Sequence, residues 1–191
     1  MKNLANFLFE IGMLKRTPRT GFQFLGSGSE SVAEHSFRTA LIGYTLAQLD
    51  GQADVGRVLQ LCLFHDIPEA RMGDLNYVNK KYVKVDEAKA VEDLARHLPF
   101  GDDYRSTLQE FMGKQSREAL LAHDADQLEM VLSLKEHKDL GNRYADEWYP
   151  FALQRLQTEV AKQLAATIWE TDSSKWWFDD DHEWWVKGGA E

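Results

Sequence analysis

The stretch FHDIPEARMGD, residues 64–74, sets His65, Asp66, Glu69 and Asp74 directly after the apolar run VLQLCL. Burying an unpaired carboxylate costs several kcal/mol, so Asp66 needs a cation, a hydrogen-bond donor or a metal. A divalent ion would satisfy several such groups at once, and imidazole with carboxylate is a common ligand mix for transition metals. Adjacent residues on a helix point about 100° apart, so His65 and Asp66 can both reach an ion lying between them. They cannot complete its shell, and further ligands must come from other helices. His35, on an apolar face near Ala33, Phe37 and Ala40, is the best second source. Taken singly, each residue has a plainer account. His35 would be a satisfied core histidine, Glu69 a solvent-facing acid in a first helical turn, and Asp74 a turn aspartate. The ordered set, with a later acid on a long helix, is what points to chemistry.

The elements that must carry these residues read as helices throughout. Leu4, Phe7, Leu8, Ile11 and Leu14 follow the three/four spacing of an amphipathic helix. TPRTGFQFLGSGSE interrupts it as a loop. Ser31 and Glu34 match a capping box that opens a second helix, running to Asp50-Gly51. A third helix is predicted over 54–66, ended or kinked by Pro68. VDEAKAVEDLARHL predicts a fourth, closed by Pro99 and Gly101. Residues 116–140 predict a fifth, with Ser116 as cap and Gly141 as stop, and 150–169 a last one. No repeat, alternating strand pattern or glycine-rich phosphate loop is present. The expectation is an all-α bundle of six or more helices, with one domain over 1–170 and a Trp-rich acidic tail over 171–191. The tail's four tryptophans suggest either partial order or docking on the body or on a second subunit.

The 191 residues carry a net charge of −9, which argues against a nucleic-acid polymer as partner, since such binding rests on many neutralised phosphates. A small phosphorylated ligand needs only a local cluster of cations. Lys15, Arg16 and Arg19 form one basic group and Lys80, Lys81 and Lys84 another, although each alone reads as a solvated face. No apolar run approaches the roughly 20 residues of a membrane span. The single cysteine, Cys62, permits no intramolecular disulfide. Without a recognisable signal peptide at the start, the expected location is the cytoplasm.

Four segments in order, LKRTPRTGF, ESVAEHSFRTA, LCLFHDIPEARMGDL and DADQLEMVLSLKEHKDL, resemble the HD-domain metal-dependent phosphohydrolases, most closely their 5′-deoxynucleotidase branch. The resemblance runs from about residue 4 to residue 145. It implies an all-α bundle around one divalent ion (Mn, Fe, Co, Ni or Zn) held by His35, His65, Asp66 and Asp126. The last ligand stays open between two acids. On a helical wheel of residues 120–134 the apolar side chains centre near Asp124, whereas the motif match selects Asp126. The resemblance further implies Glu69 as the catalytic acid or base, and Arg19, Phe22, Asp74 and Lys81 as contacts to substrate. Phe22 stands where family members often carry tryptophan, which leaves the mode of sugar discrimination open.

The implied reaction is hydrolysis of deoxyribonucleoside 5′-monophosphates, by a homodimer. Another HD phosphohydrolase, acting on a nucleoside triphosphate, cyclic nucleotide or alarmone, is the nearest alternative. A dinuclear oxygenase or phosphodiesterase would need further histidines, and only His97 and His123 are available, without supporting spacing. A non-catalytic helical protein that keeps metal for stability would need neither Glu69 nor Arg19.

Overall fold

A computed structural model of the chain describes residues 1–178 and 182–188. Its elements, in order, are α1 (Lys2–Ile11), a 3-10 turn (Gly12–Lys15), α2 (Phe22–Leu25), α3 (Val32–Asp50), α4 (Val55–Phe64), α5 (Glu69–Met72), α6 (Asn79–Tyr82), α7 (Glu87–Ala95), α8 (Gly101–Gly113), α9 (Arg117–Asp139), α10 (Tyr144–Leu153), α11 (Glu159–Glu170) and α12 (His182–Lys187). No strand occurs among the described residues; Pro18 and Ser31 form one isolated antiparallel bridge. Among the described residues, no helix is long and apolar enough to cross a membrane.

Short polar side chains start the long helices by accepting otherwise orphaned backbone N–H groups. Ser31 and Glu34 form the expected capping box, with Ser31 N–H donating to Glu34 Oε2 at 2.7 Å. Asp54, Asp86, Ser116 and Thr158 cap α4, α7, α9 and α11 in the same way. The longest helix, α9, lies at the centre and packs on α3, α4, α10 and α11. It brings Leu121, Leu128, Val131 and Leu134 to a core shared with Leu46, Val58, Leu61 and Cys62. A second apolar cluster joins Phe7, Leu14, Ile67, Leu94, Tyr104 and Leu108, and so binds the N-terminal helix to α7 and α8.

The structure departs from the sequence expectations at several boundaries. α4 stops at Phe64 rather than 66, so His65 and Asp66 lie in the turn beyond it. Pro68 has no N–H to give the Phe64 carbonyl, which accepts from Ile67 instead at 3.1 Å, tightening the chain. Gly101 opens α8 rather than closing α7: a Cβ there would clash with the Ala95 carbonyl oxygen, so glycine is what lets the two helices meet. The single helix expected over 150–169 is two, α10 and α11, broken where Thr158 starts the latter. The 17–30 loop contains the short α2. Phe7 and Leu14 are buried as expected, but Leu8 is 68% exposed, and Phe37, read as part of the His35 face, is 67% exposed.

The tail begins against the body, where Ser173 N–H donates to Asp139 Oδ2 at 2.8 Å. Its described aromatic residues then pack on one another. Trp177, Phe178 and Trp185 have ring centroids 5.3–5.7 Å apart, and Trp184 meets Trp185 edge-on. All of these rings remain exposed, as does Trp176. Residues 179–181 and 189–191 lie outside the described residues.

Candidate metal centre and active site

Three elements deliver the central groups: the first turns of α3, the turn after α4, and the middle of α9. The His35 ring is fully buried. Its Nδ1 lies 2.9 Å from Glu129 Oε2, and its Nε2 lies 3.2 Å from Asp126 Oδ1 and 3.4 Å from Asp66 Oδ2. His65 is oriented differently. Its Nδ1 lies 2.7 Å from the Cys62 carbonyl oxygen, which can only accept, so Nδ1 carries a proton and Nε2 is the ring atom turned to the cluster. That Nε2 is buried and makes no hydrogen bond. It lies 3.1 Å from Asp66 Oδ2 without the alignment a hydrogen bond needs.

One ligand atom from each of His35, His65 and Asp126 falls within 4.8 Å of the others, so these donors fit a single divalent ion. Asp66 reaches the same place from the turn. Burial disfavours charge on Asp126 and Asp66, but the neighbouring imidazoles outweigh it and hold both carboxyls below their usual range. Conversely, burial opposes charge on His35, yet hydrogen bonds to Asp126 and Glu129 push the ring up to about 10. The carboxylates draw positive charge into this spot, a demand that a divalent ion also meets. Asp124, the rival to Asp126, is elsewhere. Its buried carboxylate accepts from the backbone N–H groups of Gln157 and Thr158 at 2.8 and 2.7 Å, and from the Thr158 hydroxyl at 2.6 Å. It fastens the start of α11.

A cavity of about 240 Å³ opens above this cluster, lined among others by Arg19, Phe22, Asp66, Glu69, Asp74 and Asp126. Arg19 points Nη1 to 3.5 Å from Asp66 Oδ2 and 3.9 Å from Asp74 Oδ1. Burial works against its charge, and these carboxylates more than restore it. Asp74 is both a loop anchor and part of the lining, since its Oδ2 accepts from Thr20 N–H at 2.7 Å. Glu69 is half-buried rather than solvent-facing, and its Oε2 has no hydrogen-bond partner. Burial, with Asp66 and Asp74 adding their charge, pushes its carboxyl up to about 9. Phe22 lines the cavity and meets the His137 ring edge-on at 5.4 Å. Lys81 does not line the cavity; Lys80 does. Consecutive residues of α6 point about 100° apart, and it is Lys80 whose side is turned to the cavity. His97 is exposed. His123 stacks at 4.0 Å on Phe111, whose other neighbour is His65, and is thus behind that ring.

The HD-domain family model matches residues 11–169 of this chain. The chain belongs to the HD-domain family. Among HD-domain relatives, it is 33% identical over 150 residues to a Bos taurus protein named 5′-deoxynucleotidase HDDC2, covering 74% of this chain and 71% of that one. A Vibrio vulnificus protein, also named a 5′-deoxynucleotidase, is 30% identical over 149 residues, 69% of this chain and 72% of its own. Among solved structures, a conserved hypothetical protein from Pyrococcus furiosus superposes with a TM-score of 0.72 at 31% identity, covering 87% of this chain and 97% of the other.

Several residues of this HD-domain site escaped sequence reasoning. Glu129, three positions after Asp126, is buried against His35, and Arg38 grips its other oxygen. Gln127 Nε2 donates to Asp126 Oδ2 at 2.8 Å, and Gln127 Oε1 accepts from Arg155 Nη1 at 3.3 Å. Arg155 in turn lies 4.8 Å over the Tyr77 ring, and both line the cavity with Trp148. For Glu129 and Arg38 a signal existed: each stands three residues beyond a candidate ligand, on the same helical face. For Arg155 and Tyr77 nothing in the sequence places them together.

Proposed function

We propose that this HD-domain chain is a metal-dependent hydrolase that converts deoxyribonucleoside 5′-monophosphates to deoxynucleosides and inorganic phosphate. The observation that carries the proposal is the convergence of His35, His65 and Asp126, with Asp66 beside both rings, next to a cavity lined by Asp66, Asp126, Arg19 and Glu69. The names of the relatives supply the substrate class. A divalent ion held by those four residues would acidify water and polarise a phosphoryl oxygen. Thiolate-free histidine and carboxylate ligands suit Mn, Fe, Co, Ni or Zn.

The chain's own groups account for the remaining requirements. Phosphoryl transfer depends mainly on positioning and on stabilising charge. Arg19, aimed by Asp66 and Asp74, offers a planar fork to the phosphate oxygens. Hydrolysis forms a bond from water oxygen to phosphorus, breaks the bond to the nucleoside O5′, and must put a proton on O5′. Glu69, kept protonated by its burial, can hold that proton until O5′ leaves, or hold the attacking water. Phe22, Tyr77 and Trp148 offer apolar faces to the sugar and base. The working form is taken to be a homodimer, as the family resemblance implies, and its expected location is the cytoplasm; a one-chain mass by light scattering would remove the dimer.

The test is a phosphate-release assay over ribo- and deoxynucleoside mono- and triphosphates with Mn, Co, Ni and Zn. Release from deoxynucleoside monophosphates is expected to dominate. Glu69→Ala should lower turnover of dAMP at least 100-fold while the protein still binds one metal equivalent. No release from any monophosphate would sink the proposal, and an active Glu69→Ala enzyme would remove Glu69 from it.

A further inference from the structure

The two histidines that face the cluster are held from behind by unlike partners. His65 gives its Nδ1 proton to a neutral backbone carbonyl, that of Cys62. His35 meets a carboxylate, Glu129, at 2.9 Å. Glu129 is 1% exposed, a position in which an unpaired carboxylate would cost several kcal/mol. Its pairing is unusually complete. Oε2 takes the imidazole, while Oε1 accepts from Arg38 Nε at 2.9 Å, Arg38 Nη2 at 2.5 Å and Ser133 Oγ at 3.2 Å. Arg38 follows His35 by three residues on α3, and Glu129 follows Asp126 by three on α9. One helical turn behind the metal-facing pair, the same two helices are therefore joined by a second, charged pair.

Glu129 could be imagined as a ligand itself, because it sits with His35 and Glu30 in a second group of possible metal donors. The geometry opposes that. Its Oε2 lies on Nδ1, the ring edge opposite the Nε2 that faces Asp126, and its Oε1 is occupied by Arg38. We infer that Glu129, clamped by Arg38, is a positioning residue that keeps the His35 proton on Nδ1 and so presents Nε2 to the metal. The inference rests on His35 being a ligand, as proposed above. It does not depend on which phosphate ester is the substrate. Partners of this kind fix ring tautomer and orientation, and losing one typically costs about 10–100-fold in metal affinity.

The experiment compares three proteins with the wild type, by zinc competition against a chromophoric chelator and by 15N NMR of the histidine rings, with no nucleotide present. Glu129→Met removes the acceptor. It should weaken zinc about 10–100-fold and abolish the hydrogen-bonded Nδ1–H signal of His35. The pair Glu129→Gln with Arg38→Met keeps an acceptor without leaving the guanidinium unpaired. It should retain that signal and hold zinc within about tenfold of wild type. His35→Ala is the control for ligation itself. Zinc binding by Glu129→Met within about twofold of wild type would overturn the inference. So would a double variant as weak as Glu129→Met, because charge or direct ligation would then be what matters. If Glu129→Met does not fold, the double variant decides alone: a retained signal supports the inference and a lost one overturns it. Undiminished zinc binding by His35→Ala would instead refute the ligand assignment, whatever the nucleotide assays show.

Discussion

Two residues apart on α9, Asp124 and Asp126 show how little a residue's type says about its use. Asp126 faces the imidazoles, and Asp124 spends its carboxylate on the first N–H groups of α11. Asp124→Asn should therefore lower stability by about 1–3 kcal/mol, by leaving a buried donor without its acceptor. Calorimetry would show a lower Tm, while zinc affinity stays within about threefold of wild type because no ligand is touched. A collapse of zinc binding with unchanged Tm would reverse the two assignments. The helical wheel had pointed to Asp124, and it was right about burial: Asp124 is wholly buried and Asp126 only partly. Burial pattern reports depth and not what a side chain faces: His35, a proposed ligand, is as deeply buried as Asp124. The spacing of His35, His65-Asp66 and Glu69 was legible because α3, the turn after α4, and α5 carry them in close succession. The sequence points to Lys81 where Lys80 lines the cavity, since a four-residue helix has too little periodicity to show which side faces in.

At the scale of elements, the site depends on how closely α3 and α4 approach. A Cβ on Gly43 would stand 2.6 Å from Cys62 Sγ and 3.1 Å from Val58 Cγ1, both fully buried. Gly43→Ala should force α4 outward at a cost of about 1–3 kcal/mol. The Cys62 carbonyl orients His65, so zinc affinity should fall together with Tm. Adding Cys62→Ala makes room and should recover part of both; a Gly43→Ala protein as stable as wild type would show that the helices have slack. Most of the longer helices were readable from their caps and apolar spacing, α3 and α9 with Ser31 and Ser116 above all. α8 was not, because Gly101 looks like a stop. Its role as a close contact to the Ala95 carbonyl is set by a neighbour that only the folded chain supplies.

For the molecule as a whole, the acidic balance and the cavity beside the histidines divide the labour. The surface repels long polyanions, while Arg19, Lys80 and Arg155 gather cationic charge at one opening. The family match ends at residue 169, and the described aromatic residues of the tail contact one another. A chain ending at Glu170 should keep phosphate release within about twofold of the full chain, since no group that lines the cavity is lost. A larger loss would make the tail part of the working enzyme. The tail's aromatic cluster also has an optical consequence. Of the six tryptophans, four (176, 177, 184 and 185) stand in the tail; only Trp148 and Trp169 lie in the body, Trp148 at the cavity and Trp169 stacked on Tyr149. Intrinsic emission from the intact protein therefore reports chiefly on wet indoles that do not line the cavity, and a titration followed that way would look nearly silent. Removing the tail would leave Trp148 as the indole that nucleotide can quench, turning the shortened chain into its own binding sensor.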